Sequence, residues 1–354
     1  MTIKEIAKLA NVSLGTVDRV IHNRGKVSKK TKEKVLEILE RVNYQPNMFA
    51  RGLVLNKTYS ICALIPSYNE GEYWEMPARG LKKAEENLKQ FGINLEIFYF
   101  DQNSVQSFIK HSNKIISLKP DGVILAPVIN FEAVKWSLQL KRLQIPFSVI
   151  DSKISNSGAL GFIGQDAFQS GKLAAKLLCS EINGQGVISI ISIKSNENHN
   201  KKLQLRTEGF KEYIYNSDFI DNISLVEFDI HQGSLDWKNT LKNACSPNGD
   251  TVGIFVPSSK VYYAADCIVE NFAEMKKIKL VGYDLVKNTV SHLKSGVISY
   301  VIGQRPESQG YAALDVFYKH LVNRQTVKSE KYLPLDIITR ENLMYYNAKI
   351  DTNE

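Results

Sequence analysis

From Tyr59 onward, short apolar runs alternate with amphipathic stretches, and that alternation restricts the fold more than any other feature of the chain. The strand-like runs are SICALIP, INLEIFYF, DGVILAP, IPFSVID, GVISIIS, TVGIFVP, IKLVGYD and ISYVIGQ. Segments of helical periodicity fall between them, among them 78–91, 105–118, 131–143, 168–182 and 203–215. Apolar runs at this spacing cannot close into hairpins, so they predict parallel sheets with helices on both faces. About 295 residues are enough for two such doubly wound halves. A crevice then lies between them, outside the carboxyl ends of the strands.

The residues just past each run are polar or aromatic: 68–74, 101–103, Asp151, 197–199, 258–260, Asp284 and Gln304, with Arg206 on the helix that follows 197–199. Any one of them could be a turn or cap residue. Together they supply carboxylates, amides, a guanidinium and stackable rings, a mixture suited to a polyhydroxylated ligand.

The first sixty residues differ in kind. They hold 12 Lys and Arg against 5 Asp and Glu, a net +7 of the chain's formal +8. A short basic module joined to a neutral body is the expected electrostatic footprint of a nucleic-acid binder. Thr2 and Glu5 form a capping box before Ile3, Ile6, Ala7 and Ala10, and Ser13 caps a second helix that buries Val17, Val20 and Ile21. A third helix over about 31–43 is expected to bury Val35, Leu36, Ile38, Leu39 and Val42. Two short helices across a tight turn, braced by a third, make a helix-turn-helix unit. On the second helix Leu14, Gly15, Asp18, Arg19 and His22 share the face opposite the buried stripe. Arg19 can pair with guanine O6 and N7, Leu14 can touch a thymine methyl, and His22 can reach phosphate. Gly15 permits close backbone approach. Asp18 can accept from cytosine or hold His22, and both readings stand. Further on, Pro46 and Asn47 start a one- or two-turn helix that is marginal alone in water.

The stretch TIKEIAKLANVSLGTVDRVIHNRGKVSKKTKEKVLEILERVNYQPNMFARGL resembles the DNA-binding headpiece of lac-repressor/galactose-repressor family regulators along its whole length. The resemblance implies a headpiece over 1–46 and a hinge helix and linker over 47–59. It implies DNA contacts from Ser13, Leu14, Gly15, Thr16, Asp18, Arg19, His22, Asn47 and Ala50, with Leu53 wedged in the minor groove. The family usually has serine where this chain has Asp18. Residues 60–345 resemble the ribose-binding-type periplasmic proteins through EYWEMPARGLKKAEENL, IPFSVID, FIGQDAFQSGKLAAKLL, RTEGF, LVGYD and VIGQRPESQGYAAL. That resemblance implies a type I periplasmic-binding-protein-like core of two Rossmann-like subdomains, 60–163 with 305–334 and 164–304 with 335–354. It places Tyr73, Trp74, Asp151, Arg206, Ser258, Asp284 and Gln304 on a small polar effector. Ser152 and Ser258 depart from the arginine and asparagine common in that pattern, which leaves the identity of the sugar open.

The implied function is an allosteric transcriptional repressor of carbohydrate genes, a homodimer on palindromic double-stranded DNA; the alternative is a purine- or other metabolite-responsive repressor of the same build. A solute carrier does not account for the basic N-terminus. An enzyme lacks support, since no G-x-G-x-x-G, G-x-x-x-x-G-K-[ST] or G-x-S-x-G pattern is present, and no catalytic residue is assigned. Four scattered cysteines suit reduced thiols in a cytoplasm, with neither metal nor cofactor expected. No signal peptide, membrane partner or leucine-seam tetramer is read from the sequence.

Overall fold

The computed structural model describes residues 3–21, 25, 27–42, 57–194, 201–246, 250–271 and 278–347. The chain divides into two compact units, Met1–Asn56 and Lys57–Glu354.

The small unit holds α1 (Ile3–Ala10), α2 (Leu14–Ile21) and α3 (Lys29–Arg41). Asn11 enters the left-handed region at φ 54°, and the Val12 amide bonds the Ala7 carbonyl at 3.0 Å, which turns the chain sharply into α2. The Ser13 hydroxyl accepts from the Thr16 amide at 3.2 Å, satisfying one of the unpaired donors of the first turn. Ile6, Ala7, Ala10, Val17, Val20, Val35 and Ile38 form a single core. Two expectations need correction. Leu36 is 45% exposed, because the buried stripe of α3 follows Val35, Ile38, Leu39 and Val42, and Leu36 stands a hundred degrees away from Val35. The helix also begins at Lys29, earlier than residue 31, because Ser28 caps it by accepting from the Thr31 amide at 3.3 Å. The Thr2 cap and the short helix after Pro46 lie outside the described residues.

The large unit contains two six-stranded sheets among its described residues. The first is built from β1 (Tyr59–Pro66), β2 (Ile93–Phe100), β3 (Gly122–Leu125), β4 (Phe147–Ile150) and β5 (Gly161–Gly164). Helices α4 (Glu75–Leu88), α5 (Val105–Ser117) and α6 (Asn130–Arg142) connect them. The chain passes through α7 (Ala167–Glu181) into the second sheet. That sheet comprises β6 (Gly186–Lys194), β7 (Ile223–His231), β8 (Thr251–Phe255), β9 (Lys279–Tyr283) and β10 (Tyr300–Gly303). Its connecting helices are α8 (Lys201–Tyr215), α9 (Trp237–Cys245), α10 (Val261–Asn271) and α11 (Lys287–Ser295). Next, α12 (Pro306–Phe317) returns to pack on α4. β11 (Glu330–Tyr332) then joins the first sheet, and β12 (Asp336–Ile338) joins the second.

The strand orders, β11-β5-β4-β3-β1-β2 and β12-β10-β9-β8-β6-β7, are the same arrangement twice. All pairings are parallel except β10 with β12. Glycines set the tightest helix contacts in equivalent places. A Cβ on Gly171 of α7 would lie 2.0 Å from the Arg206 carbonyl oxygen of α8, and one on Gly310 of α12 would lie 2.1 Å from that of Pro77 in α4. The eight apolar runs are all strands. The periodicity passed over β5, β7, β11 and β12: β5 is four residues bracketed by glycines, β7 is a half-exposed edge strand, and the last two have three residues each.

Candidate functional site

Two surfaces carry the chemistry the sequence singled out. On α2 the residues Ser13, Leu14, Gly15, Asp18 and Arg19 are exposed and Thr16 is half-buried, while Val17 and Val20 face the core. The helix therefore presents to solvent the face opposite its buried stripe. The aliphatic stem of Arg19 lies beside Gly25, which takes a left-handed φ of 68°. His22, Asn47, Ala50 and Leu53 lie outside the described residues.

In the large unit, a cleft of about 910 Å³ opens beyond the carboxyl ends of the strands of both sheets. Tyr73, Trp74, Asp151, Arg206, Ser258, Asp284 and Gln304 all line it. The polar segments 68–74, 101–103 and 258–260 line it too; 197–199 lie outside the described residues.

Asp151 and Asp284 stand at equivalent points, immediately after β4 and β9, with left-handed φ values of 69° and 64°. Aspartate tolerates this region better than most side chains, and the conformation turns each carboxylate off the strand end into the cleft. Asp151 is 3% exposed and its Oδ1 accepts from the Tyr73 hydroxyl at 2.6 Å and from Lys202 Nζ at 2.5 Å. Burial raises the Tyr73 phenol well above its usual range, and the neighbouring carboxylates add to the rise. Tyr73 meets Trp74 edge to face, with ring centroids 5.2 Å apart. At the other end, Asp284 is 1% exposed and its Oδ2 accepts from Gln304 Nε2 at 2.5 Å. The Gln304 carbonyl is itself held by Gln309 Nε2 at 3.0 Å. Burial pushes the Asp284 carboxyl up to about 6, against the lowering pull of Arg206, Lys202 and the Gln304 hydrogen bond.

Arg206 is the largest fully buried side chain. Its Nη1 donates to the Pro257 carbonyl at 2.9 Å, and its guanidinium lies over the Tyr283 ring at 3.4 Å from the centroid. Nε and Nη2, which share the opposite edge, are buried without a hydrogen-bond partner among the described residues, as is Asp284 Oδ1. A buried charged donor left unmatched costs several kcal/mol at sites of this kind, of order 1–3 per group. The site thus offers two parallel donors and one acceptor. Ligand oxygens could accept from the two donors, and a ligand hydroxyl could donate to the acceptor. Ser258 accepts from the Lys260 amide at 3.3 Å, and Lys260 Nζ donates to Gln232 at 2.9 Å. Burial brings the Lys260 ammonium down to about 8, with Glu72 opposing.

Sequence reasoning missed Lys202, the residue that pairs with Asp151. The signal was available, because Lys202 stands four residues before Arg206 and so shares its helix face. Among the described residues no group of three His, Cys, Asp or Glu could hold a metal ion, and no helix is long and apolar enough to cross a membrane. All four cysteines are free and buried.

Residues 2–47 match the model of "Bacterial regulatory proteins, lacI family". Residues 62–325 match that of "Periplasmic binding protein domain". The chain is 30% identical to catabolite control protein A of Priestia megaterium over 207 residues, 58% of this chain and 59% of that protein. It is 28% identical to the probable HTH-type transcriptional repressor ExuR of Bacillus subtilis over 47% of each chain. These matches span only about half to three-fifths of the relatives' own lengths. A solved structure of a putative LacI transcriptional regulator from Bacteroides fragilis superimposes with a TM-score of 0.76 at 29% identity, covering 82% of this chain and 100% of that one. With three quarters of its length matched by one family model and its helical N-terminus by the other, the chain belongs to the periplasmic binding protein domain family and carries the headpiece of the lacI family of bacterial regulatory proteins.

Proposed function

We propose that this chain is a sequence-specific transcriptional repressor of carbohydrate-utilisation genes, controlled by a small polyhydroxylated effector in the cleft. The observation that carries the effector reading is that buried Arg206 and Asp284, both lining the cleft, keep Nε, Nη2 and Oδ1 unmatched among the described residues. Tyr73, Trp74, Asp151, Ser258 and Gln304 complete the site, with the aromatic pair covering the C–H face of a sugar. No residue has a catalytic role.

The exposed face of α2 enters the major groove of double-stranded operator DNA through Ser13, Leu14, Gly15, Thr16, Asp18 and Arg19, with His22, Asn47, Ala50 and Leu53 adding contacts. Residues 47–59 form the hinge. A homodimer reads a palindrome, because each recognition helix serves one half-site. The chain works in the cytoplasm. The effector domain divides into 60–163 with 305–334 and 164–304 with 335–354, and a ligand that prefers one arrangement of these parts biases operator affinity.

A thermal-shift panel of neutral pentoses, hexoses, sugar phosphates and purines tests the site, since a ligand bound to the folded state raises the melting temperature by mass action. A neutral sugar that stabilises the protein and changes its operator affinity supports the proposal. Stabilisation by purines alone replaces it with a purine-responsive regulator. Turnover of a sugar phosphate, or indifference to every duplex in a random-sequence selection, overturns it.

A further inference from the structure

We infer that Lys202 is a positioning residue that clasps the two halves of the cleft together through Asp151; as a means of control over DNA, this rests on the function proposed above. Asp151 follows β4 of the first sheet, whereas Lys202 lies on α8 beside the second, so their 2.5 Å ion pair spans the cleft. Tyr73, two residues before α4 on the first side, donates to the same oxygen at 2.6 Å and presents its ring 5.2 Å from the Lys202 ammonium. Both charged partners are buried, with side chains 10% and 2% exposed. The rim closes in the same sense. The Lys287 amide, at the start of α11, donates to the Gly71 carbonyl at 3.3 Å, and a Cβ on Gly71 would sit 3.0 Å from that of Lys287.

The consequence for closure follows from desolvation. With the halves together, both charges are out of water and their pairing offsets part of that cost; with the halves apart, water reaches both. Removing one partner therefore penalises the closed arrangement alone. Removing both penalises it less, since neither buried charge then loses its counter-ion. The pair also narrows what a ligand can do: with Oδ1 taken by Tyr73 and Lys202, Asp151 cannot grip two hydroxyls at once, and neither can Asp284, whose Oδ2 accepts from Gln304.

The test uses the full chain without DNA or small molecules, carrying a fluorophore pair at Gln139→Cys on α6 and Lys242→Cys on α9. Energy transfer is compared among the parent, Lys202→Met, Asp151→Asn and the double variant, with Lys202→Arg as the conservative control. Each single variant should lower the closed-to-open ratio about tenfold or more, and the double variant should close better than either. Lys202→Arg should stay near the parent. Equal transfer in all forms, or single effects that simply add in the double variant, overturns the clasp. Neither outcome touches the sugar proposal, which its own ligand panel decides.

Discussion

The Asp284 carboxyl should make the protein less stable than it could be, and replacing it with asparagine should reveal how much. Its ordinary value is 3.8, and burial raises it to about 6 in the folded protein. The folded state keeps this proton up to about pH 6, whereas the unfolded chain releases it near 4. Stability attributable to the group is therefore present below the lower value, is lost as pH rises between the two, and stays lost above. A rise of that size corresponds to about 3 kcal/mol. Asp284→Asn keeps the shape and still offers an oxygen to Gln304 Nε2, so it removes the buried charge with little else. The variant should gain on the order of 1–3 kcal/mol over the parent at pH 7–8, with the difference shrinking towards pH 4. Urea unfolding followed by tryptophan fluorescence reads this domain alone, because Trp74, Trp136 and Trp237 all lie in it. Parallel stability profiles for the two proteins between pH 4 and 8, or a variant less stable throughout, would refute the burial argument.

The other expectations concern the same two surfaces and the contact beneath one of them. Arg206→Met should lower effector affinity by roughly 100-fold or more, measured by calorimetry, while leaving operator binding intact, since it removes two charge-assisted donors. Gly171→Ala should cost about 1–3 kcal/mol or more in urea unfolding, because its Cβ would stand 2.0 Å from the Arg206 carbonyl and the two helices must part. Arg19→Ala should cost about 1–3 kcal/mol at a single base-pair position in a mobility-shift series; an equal loss on every sequence would make Arg19 a phosphate contact.

How much of this could be read beforehand depended on how local the signal was. The alternation of apolar runs located eight strands, and the polar residues after them that are described fall on the cleft, because the carboxyl ends of parallel strands lie together at one edge of the sheet. The exposed face of α2 followed from helix periodicity alone. Short or edge strands gave no usable pattern: Gly161–Gly164 is a strand because β4 and β11 flank it. Leu36 was misassigned because Val35, next to it, is the residue that reaches the core. Lys202 was overlooked because its meaning lies in a partner 51 residues away, and nothing near it in sequence names Asp151.

Two aspartates at matching strand ends, both held left-handed, suggest that the cleft's layout comes from the repeated sheet and its specificity from what breaks the repeat. A non-glycine residue in that region costs of order 1–3 kcal/mol. The cost is borne at both positions, which fits a requirement to aim carboxylates at one space. Their surroundings then diverge. Asp151 meets an ammonium and a phenol supplied by the protein itself, whereas Asp284 keeps one oxygen unmatched, as Arg206 keeps its Nε and Nη2, among the described residues. At one end of the cleft Asp151 Oδ1 has its partners within the protein, and at the other the proposed effector would supply them. On the proposed function, the binding energy of an effector would go into the Arg206–Asp284 end, where polar atoms lack partners among the described residues. If Arg206 holds the effector as proposed and Lys202 the opposite sheet, α8 would couple ligand to closure directly, because the two residues stand one helical turn apart.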